Sequence, residues 1–417
     1  MKFNLNKFLI SMSHIIDAIE TDVFGTFSNH PSKVAYISFM IGKKLNLDDK
    51  MLFDLTALAL LHDIGVSSRK VINILPRETD SIVDLEAKKE HCEYGEENIK
   101  SFPFLLQHKN VIKYHHEAFN GSGFYGLKGE NIPFLSRIIA LADNLDLKFD
   151  LKKVYYNREQ IQNIKDYVID NINVLFFENI SRAFIEVTDD LIFWKNLSLD
   201  SYDELLLKLT PPINIDVTYR DIKKLIEVFS KIVDSKSKYT ANHTTELTAK
   251  IVYIAKHFNL PNIDIEKLII ASFLHDIGKV GISNEILDKE GKLTTEEFEQ
   301  IKKHPEIGWK ILKDIDGLDE ISEWIYSHHE KLNGSGYPRG LSGDKISFHT
   351  RLLTCVDIYQ SLREDRPYRK GLSHEESIVI MNDMVRKNEI DGNIVFEIDK
   401  AFKEINTELV SELKLIL

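Results

Sequence analysis

A block of histidines, aspartates and glycines occurs twice in this chain at one fixed spacing, so any fold must give both copies equivalent surroundings. Leu61-His62-Asp63-Ile64-Gly65 returns as Leu274-His275-Asp276-Ile277-Gly278, at an offset of 213 residues. At the same offset His115-His116-Glu117 returns as His328-His329-Glu330, and Asn120-Gly121-Ser122-Gly123 as Asn333-Gly334-Ser335-Gly336. His30 and His91 likewise pair with His243 and His304. Beyond the glycine loop the first copy is one residue shorter, and Asp143 pairs with Asp357. Self-similarity over so long a period indicates two duplicated domains. A chain of 417 residues is also too long for one ordinary core. The breaker Thr210-Pro211-Pro212 sets the cut, giving expected domains of residues 1–210 and 215–417.

Within each copy the apolar spacing is helical. His243 shares a three- and four-residue stripe with Leu247, Ile251 and Ile254, which predicts a helix within Thr240–Asn259. Leu268, Ala271, Ser272, His275 and Lys279 continue one stripe through Asp264–Lys279. Thr294 and Glu297 form a capping-box pattern expected to open the helix that carries His304. Val174–Trp194 reads equally as strand or helix. Long alternating runs are scarce, so the expected fold class is all-α, as two tandem helical bundles.

The net charge of -12 argues against a protein that grips DNA or RNA duplexes, although local cations can still hold a small anion. Two cysteines, Cys92 and Cys355, exclude a disulfide framework and a thiolate cluster. The first twenty residues lack the zones of a signal peptide, and no apolar run of about 18 residues is present. A cytoplasmic chain that does not enter a membrane is therefore expected, and a homodimer is compatible with the sequence.

Ten of the fifteen histidines lie in the repeat register, five per copy. In the second copy His243, His275, Asp276, His304, His328, His329 and Asp357 exceed the needs of one ion. Imidazole and carboxylate without thiolate suit first-row ions, and seven donors suit two of them. Taken singly, a His-Asp pair is usually without chemistry, and a histidine on an apolar stripe is usually a core residue. Retention of the whole set in two copies weighs against both. Lys279 lies three residues after Asp276, where it can hold a phosphate oxygen and stabilise charge that develops on attack.

These stretches, with Gly336-Tyr337-Pro338, Asp357-Ile358-Tyr359 and Arg366-Pro367-Tyr368-Arg369, resemble the HD-GYP branch of the HD phosphohydrolases over about Thr218–Phe402. The resemblance implies tandem HD-type domains and a helical core with two divalent ions, iron or manganese being expected. His243, His275, Asp276, His304, His328, His329 and Asp357 match the metal ligands, with Asp276 as the bridge. Lys279 matches a contact to the scissile phosphate, Arg366 and Arg369 match phosphate grips, and Tyr337 shapes the adjoining loop. A third-metal glutamate is replaced by Tyr239, which favours a dinuclear centre. The implied reaction is hydrolysis of a cyclic dinucleotide, cyclic di-GMP first or 3',3'-cyclic GMP-AMP, to a linear dinucleotide or mononucleotides.

The first copy keeps His30, His62, Asp63, His91, His115, His116 and Asp143 as a second potential ligand set. It has Val66 in place of Lys279 and Phe124-Tyr125 in place of Tyr337-Pro338, and Lys152 is the nearest cation to the first arginine position. Its expected role is structural, sensory or dimerising. Three other readings compete: a phosphohydrolase of another nucleotide, a di-iron oxygenase and a non-catalytic cyclic dinucleotide receptor. Lys279 and the arginines favour phosphate chemistry over the oxygenase.

Overall fold

The computed structural model describes residues 2–24, 29–66, 82–236, 243–289, 291–365 and 370–403. Arg366, Arg369 and Tyr239 lie outside these described residues. Helices dominate. Two three-residue strands, Lys2–Asn4 and Asn214–Asp216, make the only sheet among the described residues. The chain divides into two compact units, Asn4–Ile215 and Met1–Phe3 with Asp216–Leu417. No described helix is long and apolar enough to cross a membrane.

In the second unit, His243–His257 packs on Asn262–Leu274 and on Phe348–Arg363, while His304–Leu312 packs on Asp319–Tyr326. Leu247, Ile251 and Ile254 are fully buried, so the apolar stripe of the first of these helices faces the core. The first unit repeats the plan, with His30–Lys44 packed on Asp49–Leu60 and on Phe134–Lys148.

The helix expected within Thr240–Asn259 is present over His243–His257, and two other expectations change in detail. The stripe Asp264–Lys279 is not one helix: the α-helix stops at Leu274, and Lys279 lies on a separate 3-10 turn, Ile277–Gly281. Gly278 gives the reason. A Cβ there would meet the His304 carbonyl oxygen at 1.9 Å, so the chain turns to press bare backbone against the next ligand element. The Thr294/Glu297 capping box forms, but its helix ends at Ile301, and His304 opens the following one. Pro305 in that first turn has no N–H to continue the earlier helix. Finally, Val174–Trp194 is mainly helical, containing Glu178–Val187 and the start of Leu191–Leu197.

Gly65 repeats the contact of Gly278, its Cβ position lying 1.9 Å from the His91 carbonyl oxygen. Because the obstacle is backbone, Gly278→Ala should cost about 1–3 kcal/mol in stability, the range of forced overpacking. A lowered urea midpoint at unchanged slope checks this, and an unchanged midpoint would contradict the close approach.

Candidate metal centres

His275, His304 and His328 follow the ends of the helices Asn262–Leu274, Thr295–Ile301 and Asp319–Tyr326, and helix ends leave carbonyls without partners. His275 Nδ1 donates to the Ser272 carbonyl at 2.8 Å, and His328 Nδ1 to that of Ile325 at 2.6 Å. His304 Nδ1 donates to the Ile301 carbonyl at 2.7 Å, which Pro305 cannot engage from four residues on. A carbonyl only accepts, so Nδ1 carries the proton and Nε2 presents a lone pair. His304 Nε2 and His328 Nε2 then face each other at 3.3 Å. Two lone pairs so placed repel unless a cation lies between them, and this arrangement fits a metal.

Asp276 links two poles. Its Oδ2 is 3.3 Å from His275 Nε2 and its Oδ1 is 3.4 Å from His304 Nε2. Around the first pole, Asp357 Oδ1 lies 3.3 Å from His243 Nε2 and 4.0 Å from His275 Nε2. Around the second, His304, His328 and His329 bring their donor atoms together. The structure thus gathers all seven residues of the C-terminal set, and one carboxylate oxygen points to each pole. Such a geometry suits a bridging carboxylate.

The electrostatics match a site ready for cations. Burial, the largest influence, pushes His304 down to about 3 and, aided by His275, His328 down to about 4. Burial and His328 take His329 well below the imidazole range. Burial opposes ionisation of Asp276, but Lys279, His275 and His304 outweigh it and hold that carboxyl well below the usual range. Neutral imidazoles beside ionised carboxylates are the protonation states that metals require. His243 and His275 are the exceptions. Burial works against both protons, yet Asp276 and Asp357 raise His275, and Asp357 and Glu364 raise His243 to about 10, so an ion entering there displaces a proton.

Lys279 Nζ is 2.5 Å from Asp276 Oδ2, at the edge of the cluster and half-exposed. Tyr337 places its ring 4.8 Å from that of His329, and its backbone N–H donates to the His329 carbonyl. Arg339, Lys331 and Arg351, cations near these motifs, are paired with Glu323, Glu389 and Asp391. Histidines outside the repeat register are tied to carboxylates: His14 to Asp203, His108 to Asp54, His257 to Glu397, His349 to Asp264 and His374 to Asp399.

Sequence reasoning missed several positioning groups. Glu364 holds His243 Nδ1, with both carboxylate oxygens at 3.0 Å, and Gln360 bonds both Glu364 and Lys250. Glu330 accepts from the Arg339 and Leu341 N–H groups and so clamps the glycine loop. Asp234, raised to about 6 chiefly by burial, bonds Thr244 beside His243. A carboxylate seven residues beyond Asp357 on the same helix was the only sequence signal for Glu364.

The N-terminal set also assembles. His30 Nε2 is 3.3 Å from Asp143 Oδ1, and His62 Nε2 is 3.4 Å from Asp63 Oδ2. Asp63 Oδ1 lies 3.4 Å from Nε2 of both His91 and His115. His116 points Nδ1 at Asp143 Oδ2, 3.4 Å away. His62 and His115 donate Nδ1 to carbonyls three residues back, Ala59 and Ile112. Their Nε2 atoms, like Asp63 Oδ1 and Asp143 Oδ1, are buried with no hydrogen bond. Buried orphans of this kind are costly, and they fit a cation. The half differs at the mouth: Val66 is buried, Phe124 lies against His116 as Tyr337 does against His329, and Lys152 pairs with Asp200.

The HD domain family matches twice, over residues 15–167 and 227–394. A 3'3'-cGAMP-specific phosphodiesterase of Vibrio cholerae is 28% identical, with 91% of each chain aligned. A cyclic di-GMP phosphodiesterase of Pseudomonas aeruginosa is 34% identical over 145 residues, 34% of this chain and 35% of its own. The solved structure of a cyclic GMP-AMP-specific phosphodiesterase of V. cholerae superposes with a TM-score of 0.68 and 25% identity, covering 98% of this chain and all of that one. With the helical plan, both matched segments and the paired histidine–aspartate clusters in place, this chain belongs to the HD domain family, with the domain present in two tandem copies.

Proposed function

We propose that the chain is a metal-dependent phosphodiesterase that opens a cyclic dinucleotide, with the C-terminal half carrying the reaction and 3',3'-cyclic GMP-AMP the preferred substrate. The observation that carries the assignment to the C-terminal half is Lys279 Nζ, 2.5 Å from Asp276 Oδ2, a cation at the cluster that Val66 denies the other half. The sequence alone put cyclic di-GMP first. Two 3'3'-cGAMP-specific relatives align across both halves whereas the cyclic di-GMP relative aligns over a third of the chain, which supports placing cyclic GMP-AMP first.

Two divalent ions, iron or manganese, would be held by His243, His275, Asp276 and Asp357 on one side and by Asp276, His304, His328 and His329 on the other. When bound, such ions supply Lewis acidity toward a phosphate oxygen and lower the pKa of water into the neutral range. The chain's own groups do the remainder. Lys279 leaves its pairing with Asp276 to meet a non-bridging phosphate oxygen, where its charge counts most as negative charge builds up on attack. Glu364 fixes the His243 ring through Nδ1 and so keeps Nε2 directed at the pole it shares with Asp357. Tyr337 walls the cluster beside His329. Arg366 and Arg369 would grip the second phosphate. The N-terminal half is auxiliary, a structural or regulatory copy.

Three measurements test this reading. Turnover of cyclic GMP-AMP should fall at least about 10³-fold in Asp276→Ala and stay within about twofold in Asp63→Asn, since loss of a metal-bridging group removes the ions' contribution. Equal loss in both variants would contradict the division of labour, and wild-type turnover of neither cyclic dinucleotide would sink the activity. Lys279→Met should lower kcat about 10²- to 10³-fold at unchanged metal content, the effect of removing one charge-stabilising donor. Glu364→Ala should weaken metal binding about 10- to 100-fold, read by competition with a chelator, as loss of a ligand's orienting partner does.

A further inference from the structure

One position separates the two copies chemically. Pro305 follows His304 in the C-terminal half, and the repeat register puts Cys92 after His91. The exchange has a structural consequence. Proline starts a new helix at His304, whereas Ile82–Asn98 runs unbroken through His91 and Cys92. It also puts a thiol into the second pole of the N-terminal cluster, where His91, Cys92, His115 and His116 bring their donor atoms within 4.8 Å of one another.

The distances suit a small tetrahedral ion. Cys92 Sγ is 3.5 Å from His91 Nε2, and His116 Nε2 is 3.2 Å from the same atom. Metal bonds of about 2.3 Å to sulfur and about 2.0 Å to nitrogen give tetrahedral edges of about 3.5 Å and about 3.3 Å. An independent observation points the same way. His115 is completely buried, its Nε2 has no hydrogen bond, and it is aimed at Asp63 Oδ1 within this pole. A buried cysteine is ordinarily an inert small apolar residue. Cys355, equally buried in the other half, belongs to no such donor group among the described residues.

We infer that His91, Cys92, His115 and His116 form a mixed nitrogen–sulfur site for a zinc-class ion, distinct in selectivity from the all-nitrogen-and-oxygen centre of the C-terminal half. Thiolate favours softer ions than carboxylate and imidazole do. Binding forms a metal–sulfur bond, and the thiol proton passes to solvent. One chain would then hold two classes of metal, one serving turnover and one holding the auxiliary half together.

Cobalt(II) is the probe, titrated anaerobically into the metal-stripped full chain. The wild type should develop a near-ultraviolet thiolate-to-cobalt charge-transfer band, and added zinc should abolish it. The band should vanish in Cys92→Ser and persist in Cys355→Ser and in Asp276→Ala. Cys92→Ser should also weaken zinc binding at least tenfold while leaving manganese binding unchanged. Cobalt binding with no such band in the wild type, or a band that survives Cys92→Ser, would overturn the inference, as would a chain that binds no cobalt outside the C-terminal ligands. The inference stands apart from the phosphodiesterase reading. Turnover without the band removes only the mixed site, and the band without turnover removes only the activity.

Discussion

The bond from a histidine Nδ1 to a carbonyl three residues earlier organises both halves of this molecule. It occurs at His62, His115, His275, His304 and His328, and all of these but His115 follow the end of a helix, where the last carbonyls lack partners. One contact does three things there. It satisfies a terminal carbonyl, fixes the imidazole tautomer, and turns Nε2 toward a common centre. The helices therefore both enclose the cluster and set the direction of each donor. Gly65 and Gly278 complete the arrangement, because only bare backbone lets the His-Asp turn approach the carbonyl of the next ligand histidine.

The two halves share this frame and diverge around it. In the first, His30 Nδ1 is held by Asp146, which also pairs with Lys33. In the second, the register position of Asp146 is Gln360, and Glu364 one turn later reaches His243 in its stead. The carboxylate has moved along the helix while its task is unchanged. The mouth of each cluster shows a change of task. Lys279 brings a cation to Asp276, and Val66 brings only apolar packing. Binding a cation needs the frame alone, but handling a phosphate needs the added charge. On the proposed reading, one duplicated set of ligands thereby supports two roles.

Much of this was legible in the sequence because the repeat register marks functional positions twice. Both ligand sets follow from it, while the helical class comes from apolar periodicity and the significance of Lys279 from its place one turn after Asp276. The register says nothing about where helices stop, however. Apolar periodicity ran straight through Leu274 to Lys279, whereas a backbone contact at Gly278 forces a turn. Periodicity likewise could not separate the capping-box helix from the one opened by His304, although Pro305 carried that signal. Glu364 stayed hidden because a carboxylate near a helix end is unremarkable in one dimension, even with Asp150 at its register position. Arg339, Lys331 and Arg351 show the converse: a cation near a motif looks available in one dimension until its ion pair is seen.

The central claim is that these helix-end histidines hold their Nε2 atoms ready for ions on both sides of a bridging aspartate. Anomalous diffraction from crystals of the manganese-loaded chain addresses it most directly. The account predicts two peaks in the C-terminal half, one bounded by His243, His275 and Asp357 and the other by His304, His328 and His329, with Asp276 between them. A single peak away from Asp276, or ions held only at surface carboxylates, would contradict it.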